Sequence, residues 1–197
     1  MFGQTPLYIS AFAFLAGHAA AHGMVTSPPI RSPGAAFQAA CGQQVYNTVK
    51  SDPYGNIQQE AQVSKGQKDF DAAQCNLNMC KGIPVADMQA SDVQRFTRGQ
   101  TVPFVVDIRA PHTGTANMTI VRSATGEVLG GVLKSWSVYA SNSAPISKDD
   151  TNFSITIPAD LDADACKAVG DCHVRWLWDS RMVDQTYENC VDMVVTG

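Results

Sequence analysis

The stretch Cys172-His-Val-Arg-Trp-Leu-Trp-Asp179 decides how this chain is expected to fold. Side chains alternate between the two faces of a strand, so Val174, Trp176 and Trp178 share one face. Two indole rings on one face indicate a position in a core rather than a ligand-binding surface. The stretch therefore predicts a strand with one buried face.

Similar short runs, rich in Val, Ile, Thr and aromatic residues, recur from Thr101 onward, with Gly, Pro, Ser, Asn and Asp between them. Evenly spaced short strands of this kind predict a mainly β protein, an antiparallel β-sandwich of immunoglobulin-like or fibronectin-like type. The predicted strands lie at 101–108, 117–122, 133–140, 152–157, 173–179 and 190–196.

Residues 22 to about 98 lack strong strand signals. Turn-forming pairs such as Pro28-Pro29 and Pro33-Gly34 recur there. They predict long N-terminal loops over one end and edge of the sandwich. Short helices are expected along the chain at 57–63, 85–96 and 160–169.

The pattern Asp160-x-Asp162-x-Asp164 at the start of the last predicted helix resembles the opening of a calcium loop. Such a loop needs Gly and Glu at two later positions, where this chain has Ala165 and Asp171. A capped helix start is therefore the favoured interpretation.

Residues 1–21 have the pattern of a secretory signal peptide. Their apolar run, 7–17, is shorter than the roughly 20 residues that cross a bilayer, and Ala19 and Ala21 form an A-x-A cleavage pattern. No Lys or Arg precedes the run, so a buried N-terminal strand or helix is the alternative. Cleavage would make His22 the first residue of a secreted, extracellular domain, 22–197, with no membrane segment.

Six cysteines follow the predicted signal peptide, and an even number in an oxidising compartment predicts three disulfides. We favour two short loops, Cys75–Cys80 and Cys166–Cys172, which leaves Cys41–Cys190 to tie the ends together. A zinc site is the competing interpretation. It is disfavoured because no cysteine pair has C-x-x-C spacing and the chain has only 4 histidines.

The formal net charge is −4, and no run or stripe of basic residues is present. These properties argue against a nucleic-acid partner. Asn117-Met-Thr119 and Asn152-Phe-Ser154 match the acceptor motif for N-glycosylation, which agrees with secretion.

A histidine at the start of a chain is an unusual metal chelator. The α-amine and the imidazole Nδ1 of His22 belong to one residue and can close a ring on a single ion. A second imidazole would complete three nitrogen donors in a plane, which suits Cu(II). Binding must displace the amine proton, so affinity should weaken in acid. We therefore predict a site for one copper ion at His22.

Two histidines outside the predicted signal peptide are candidates for the second imidazole. His112 lies in a turn between two predicted strands, and loop residues at the end of a sandwich can converge on an N-terminus. His173 lies beside Cys172 at the start of a strand, where the sheet holds it. His112 is the favoured ligand, and His173 is the alternative.

The C-terminal run that begins at Gln185 supplies two further candidates. In an extended strand, Gln185 and Tyr187 point to the same side. The Tyr187 hydroxyl is a candidate for a weak axial position on the copper ion. The Gln185 amide is a candidate for a hydrogen bond to a group bound there. The competing interpretation of Tyr187 is a half-buried tyrosine with a satisfied hydroxyl.

Three motifs together resemble lytic polysaccharide monooxygenases, with the best match to the fungal family called auxiliary activity sixteen. They are the start His22-Gly-Met-Val-Thr-Ser-Pro-Pro-Ile-Arg31, the turn Ala110-Pro-His-Thr-Gly114 and the ending Tyr187-x-x-Cys-x-Asp192. The resemblance covers essentially all of residues 22–197.

The resemblance implies a β-sandwich with one copper ion that cycles between Cu(II) and Cu(I). His22 and His112 would be its ligands, Tyr187 its axial residue, and Gln185 would match a Gln-x-Tyr arrangement in which some relatives have Glu. The implied activity is oxidative cleavage of crystalline polysaccharide, above all cellulose. The partners would be an insoluble polysaccharide surface, an external electron donor, and hydrogen peroxide or dioxygen. We expect a monomer.

Two other functions are compatible with these residues. One is a copper-binding or copper-homeostasis protein with the same histidine pair, and the other is a non-catalytic domain that binds chitin or cellulose. Tyr187 and the His-Gly start favour the enzyme. In that case Tyr46 and Tyr54, in the first half of the chain, are candidates to stack on sugar rings.

Overall fold

The computed structural model of the chain describes residues 22–162 and 164–196, which form two β-sheets with a layer of short helices. The predicted signal peptide, 1–21, lies outside these residues. The smaller sheet has the order β1 (His22–Ser27), β3 (Thr101–Ala110), β6 (Asn152–Thr156). The larger has the order β2 (Gln94–Phe96), β8 (Gln185–Val195), β7 (Cys172–Ser180), β4 (Gly114–Arg122), β5 (Val128–Tyr139).

The mainly β prediction is confirmed, with one refinement. All strand neighbours are antiparallel except β2 and β8, which run parallel, so the larger sheet is mixed. The six predicted strands are all present, and several extend beyond the predicted bounds. Strands β1 and β2 were not predicted, because neither has the alternation of a half-buried strand in its sequence.

The main core lies between the inner faces of the two sheets. Trp176 and Trp178 are only 1% and 0% exposed, as the alternation of β7 predicts. The ring of Tyr139 packs edge-on against both indoles. The small sheet contributes Phe104 and Phe153, whose rings stack 5.9 Å apart. Burial of each such side chain stabilises the fold by about 1.5–3 kcal/mol relative to an exposed position.

The segment expected to be loops contains three helices, α1 (Ala35–Cys41), α2 (Gln43–Ser51) and α3 (Ile57–Ser64). The helix predicted at 57–63 is confirmed by α3, where the Asn56 side chain caps the first turn by accepting from the Gln59 N–H. Helices α1 and α2 were not predicted, but the expectation of long loops is confirmed for residues 65–93, which form turns, bends and two 3-10 turns. Helices α1 to α3 surround a small core of their own. Helices this short are stabilised by such packing, so helix propensity along the sequence does not predict them.

Two predicted helices are wrong. Residues 85–96 form one 3-10 turn (Val85–Asp87) and strand β2, whose pairing with β8 overrides local helix propensity. The described residues of 160–169 form turns, because the Asp162 carboxylate accepts from the Asp164 N–H and so competes with helix formation. A fourth helix, α4 (Lys148–Thr151), is a single turn before β6. None of the described helices is long and apolar enough to cross a membrane.

The disulfides are Cys41–Cys75, Cys80–Cys190 and Cys166–Cys172. The last pairing is as predicted, but Cys75–Cys80 and Cys41–Cys190 are wrong. Cys41 and Cys75 both belong to the small helical core, whereas Cys80 lies on the next turn and reaches strand β8. Gly82, two residues after Cys80, has a φ of +83°, and a Cβ on it would lie 3.0 Å from the Cys41 sulfur. The packing of the helical layer, rather than the length of the loop between two cysteines, therefore decides which cysteines form disulfides.

Candidate metal site

Strand pairing brings His22 to the same end of the sandwich as His112. His22, the first residue of β1, lies opposite Ala110, the last residue of β3. His112 lies two residues further along, in the short turn between β3 and β4. Because β1 and β3 are antiparallel, the beginning of one and the end of the other meet at one edge of the sheet.

The turn that carries His112 is held from two sides. The Ser180 hydroxyl donates to the Thr113 carbonyl at 3.1 Å, and the Asn142 N–H donates to the Thr113 hydroxyl at 2.8 Å. At Gly114, a Cβ would lie 2.3 Å from the Asp179 carbonyl, so β4 can begin here only with glycine. These contacts fix the backbone on both sides of the histidine.

The imidazole of His112 has a buried Nδ1 for which the described part of the chain offers no hydrogen-bond partner. Leaving a buried polar group unpaired costs about 1–3 kcal/mol, so this nitrogen would be stabilised by a partner that the described residues do not supply. A metal ion with nitrogen ligands is such a partner, and imidazole nitrogens suit copper. The donors at this end of the sandwich therefore fit the predicted ion.

His22 is half-buried, and its Nε2 lies 2.9 Å from a carboxylate oxygen of Asp52. Gly23 follows on the inner face, where a Cβ would be 3.0 Å from the Trp178 ring. The indole thus supports the backbone beside His22 at a distance that only glycine allows. The Gly23 N–H also donates to the Tyr54 carbonyl at 3.4 Å.

Tyr187 and Gln185 share one side at the start of β8, as the two-residue period predicts. The Tyr187 hydroxyl donates to Gln185 Oε1 at 2.8 Å, and its ring stacks on Trp178 with centroids 4.4 Å apart. Tyr187 is fully buried, and burial raises its pKa above the ordinary value, so the hydroxyl keeps its proton. Trp178 therefore lies against both the Tyr187 ring and the backbone at Gly23.

His173 lies at the opposite end of the larger sheet from this site. It is the second residue of β7, whose other end carries Ser180, and seven residues of strand span about 23 Å. The ring is fully buried, with Nδ1 3.0 Å from the Ser123 hydroxyl and Nε2 3.5 Å from the Cys80 sulfur. Burial, reinforced by two nearby arginines, lowers the pKa of His173 to about 3. The Cys80 sulfur beside the ring is bonded to the Cys190 sulfur, so the cluster of His173 with these two cysteines is structural.

Asp52 and Lys81 are site residues that the sequence did not indicate. Lys81 is 3% exposed, and its ammonium donates to the Gly55 carbonyl at 2.8 Å and pairs with Glu60 at 3.1 Å. Burial raises the pKa of Glu60 to about 7, and the Lys81 cation opposes that rise. No local pattern marks these residues, because their partners lie far away along the chain.

The tyrosines expected to stack on sugars are both occupied by protein contacts. The Arg109 guanidinium lies 3.6 Å from the centre of the Tyr54 ring, and the Tyr54 hydroxyl donates to Asp107 at 2.9 Å. Tyr46 is half-buried and packs against Phe37 with ring centroids 6.4 Å apart. Tyr54 is only 7% exposed and so has no open face for a sugar, whereas Tyr46 keeps part of its surface exposed.

The two glycosylation motifs differ in their surroundings. Asn152 is exposed at the start of β6, beside the end of α4. Asn117 lies within β4 between two neighbouring strands, and its amide oxygen is buried. Asn152 remains the predicted acceptor with the better access.

Comparison with known proteins adds a family match to this geometry. Residues 22–193 match a family model described as "Lytic polysaccharide mono-oxygenase, cellulose-degrading". No curated protein sequence matches significantly.

Solved structures with a similar fold include a CBM33 protein of Bacillus amyloliquefaciens in complex with Cu(I), at 17% identity and a TM-score of 0.48, covering 89% of this chain and 100% of that one. A chitin binding domain from Burkholderia pseudomallei has 13% identity and a TM-score of 0.49, with the same coverage. A lytic polysaccharide monooxygenase from Thermobia domestica has 14% identity and a TM-score of 0.45, covering 88% and 98%.

Proposed function

The chain belongs to the lytic polysaccharide monooxygenase family, and on that premise we propose that it is a secreted copper enzyme that oxidatively cleaves glycosidic bonds in crystalline cellulose. Within the family, its three motifs support membership of the fungal group called auxiliary activity sixteen. Secretion rests on the signal-peptide pattern of residues 1–21 and on the 3 disulfides.

One observation carries the proposal: the β1–β3 register places His22 beside the turn of His112, whose buried Nδ1 has no partner among the described residues. The two imidazoles would hold one copper ion. Removal of residues 1–21 would add the α-amine of His22 as the third nitrogen. A nitrogen donor set of this kind suits Cu(II), and imidazole is a ligand that copper binds well.

Copper bound there would supply the redox chemistry, taking electrons from an external donor and activating hydrogen peroxide or dioxygen for attack on a glycosidic C–H bond. The protein residues hold and orient the reacting groups. Tyr187 is fully buried and its ring stacks on Trp178, so it packs this end of the core without water. Its protonated hydroxyl would lie on the side of the ion away from the substrate if copper were bound between the histidines, and Gln185 accepts a hydrogen bond from that hydroxyl.

Gln185 has a second proposed role. Its Oε1 accepts from Tyr187, which orients the amide, and because an amide can also donate through its N–H groups, we expect Gln185 to orient the cosubstrate. The exposed 3-10 turn after β7, Arg181–Val183, adjoins the His112 turn through the Ser180–Thr113 hydrogen bond. We assign contact with the polysaccharide surface to this turn, where Met182 is 92% exposed.

The test is incubation of the secreted, copper-loaded protein with cellulose, chitin and hemicellulose, each with a reductant and hydrogen peroxide. We expect oxidised oligosaccharides from cellulose, detected by mass spectrometry, and none from His112→Ala. Tight copper binding without products from any substrate would instead indicate a copper-binding protein. Adsorption to cellulose or chitin that is indifferent to copper would indicate a binding domain. Sequencing of the secreted N-terminus checks that His22 comes first.

A further inference from the structure

The contact between His22 and Asp52 determines which nitrogen of the neutral imidazole carries the proton. A neutral imidazole has one N–H donor and one lone-pair nitrogen, and a carboxylate can only accept. Since His22 Nε2 lies 2.9 Å from Asp52 Oδ2, the hydrogen bond places the proton on Nε2 and the lone pair on Nδ1. Nδ1 is the nitrogen that can close a ring with the α-amine of the same residue.

We propose that Asp52 is a positioning residue of the copper site, which selects the His22 tautomer and fixes the orientation of the ring. The inference rests on the proposed function, in which His22 is a copper ligand. A hydrogen-bonded carboxylate behind a ligating imidazole also raises the basicity of that ligand. Asp52 is 30 residues away in sequence and belongs to none of the three motifs.

The Asp52 carboxylate is held in place by its own turn. Oδ1 accepts from the Tyr54 N–H at 3.2 Å, which leaves Oδ2 directed at His22. The Asp52 N–H donates to the Thr48 carbonyl at the end of α2, and the Gly55 N–H donates to the Asp52 carbonyl at 3.1 Å. Both carboxylate oxygens and both backbone groups of Asp52 are therefore engaged.

A buried cation, the Lys81 ammonium, also holds the turn that carries Asp52. The Lys81 ammonium donates to the Gly55 carbonyl at 2.8 Å and to the Pro53 carbonyl at 3.4 Å. Glu60 pairs with that ammonium, and neither side chain is more than 4% exposed. The adjacent Cys80–Cys190 disulfide ties this segment to β8, the strand that carries Tyr187. The turn of Asp52 and the proposed axial residue thus share one support.

A nearby carboxylate provides a matched control. Asp107 accepts from the Tyr54 hydroxyl and from Arg109, so it contacts the opposite side of the same turn. The Asp107 carboxylate thus accepts from Tyr54 and Arg109, whereas the carboxylate that contacts His22 Nε2 is that of Asp52. Replacing Asp107 removes one negative charge from this surface, as does replacing Asp52, and leaves the His22 contact intact.

The experiment compares the mature protein with Asp52→Ala, Asp52→Asn and Asp107→Asn. Nitrogen NMR of the metal-free proteins under mildly alkaline conditions reports which imidazole nitrogen of His22 carries the proton. Calorimetry reports Cu(II) affinity. We expect the Nε2–H form in the wild type and in Asp107→Asn, and a mixture of forms in Asp52→Ala with copper affinity lower by roughly 10–100-fold. Asp52→Asn keeps the turn and a neutral acceptor, so its copper affinity should lie between those of the wild type and Asp52→Ala.

The outcomes separate this inference from the proposed function. If the wild type binds copper no more tightly than His112→Ala, the proposed function is wrong. If the wild type binds copper tightly but both Asp52 variants keep the Nε2–H form and wild-type affinity, Asp52 has no positioning role. Equal losses in Asp107→Asn and Asp52→Asn would also overturn the inference, because surface charge alone would then explain the effect.

Discussion

The ring of Tyr187 stacks on the ring of Trp178, with centroids 4.4 Å apart and planes 26° apart. The two residues are directly opposite each other in the β7–β8 pair. Tyr187 thereby connects the sandwich core to the histidine end through a packed ring and a hydroxyl bonded to Gln185. The contact makes the residue both part of the core and part of the candidate site.

Replacing Tyr187 with Phe separates these two roles. The stack on Trp178 survives, but the hydrogen bond from the Tyr187 hydroxyl to Gln185 Oε1 is lost, so we expect the free energy of unfolding to fall by about 0.5–1.5 kcal/mol. Tyr187→Ala should cost about 3–5 kcal/mol, because it opens a cavity. Urea unfolding of the metal-free proteins measures both. Similar losses in the two variants would show that the ring contributes little beyond its hydroxyl.

Gly23 is expected to tolerate no side chain. A Cβ there would meet Trp178 at 3.0 Å and Trp176 at 3.3 Å, so Gly23→Ala must displace β1 or the indoles, at a cost of about 1–3 kcal/mol. Because His22 precedes it, copper affinity should fall as well. Gly66→Ala is the control, since a Cβ at Gly66 meets only an ordinary contact at 3.6 Å. Thermal unfolding and copper-binding calorimetry of Gly23→Ala and Gly66→Ala test this prediction. Equal stability and equal copper affinity in the two variants would contradict it.

His112 and His173 should respond to alanine replacement in opposite ways. His112→Ala removes a buried nitrogen without a partner in the described chain, so metal-free stability should change by less than about 1 kcal/mol while copper binding is lost. His173→Ala opens space in a fully buried site, so it should cost about 2–5 kcal/mol while copper affinity persists. Denaturation and copper titration of both variants decide the matter. Retained copper binding in His112→Ala would exclude it as a ligand.

The buried Glu60 makes stability depend on pH. Burial raises its pKa from 4.5 to about 7, so between these values the folded state binds more protons than the unfolded state. Its contribution to the free energy of unfolding therefore decreases as pH rises from about 4.5 to about 7, and then stays constant.

The matching experiment measures urea unfolding of the wild type and Glu60→Gln at several pH values in that range. The wild type should lose stability relative to the variant as pH rises. Glu127→Gln, whose side chain is 59% exposed, should parallel the wild type throughout. Parallel curves for all three proteins would show that Glu60 titrates normally.

The local sequence determined the β-sandwich and the candidates His22, His112, Gln185 and Tyr187. Alternating residues predict a buried strand face wherever they occur, so the core position of Trp176 and Trp178 followed from seven consecutive residues. The same two-residue period placed Gln185 and Tyr187 on one side. The chemistry of a histidine at a processed N-terminus is likewise a local property.

Only the tertiary structure decided which distant groups meet. The helices α1 and α2 form because they share a small core, and that core sets the pairing of Cys41 with Cys75. Asp52 reaches His22, and Lys81 reaches the turn that presents Asp52, across chain separations of 30 and 26 residues. Such contacts depend on how whole elements pack, and no periodicity or spacing in a single sequence records them.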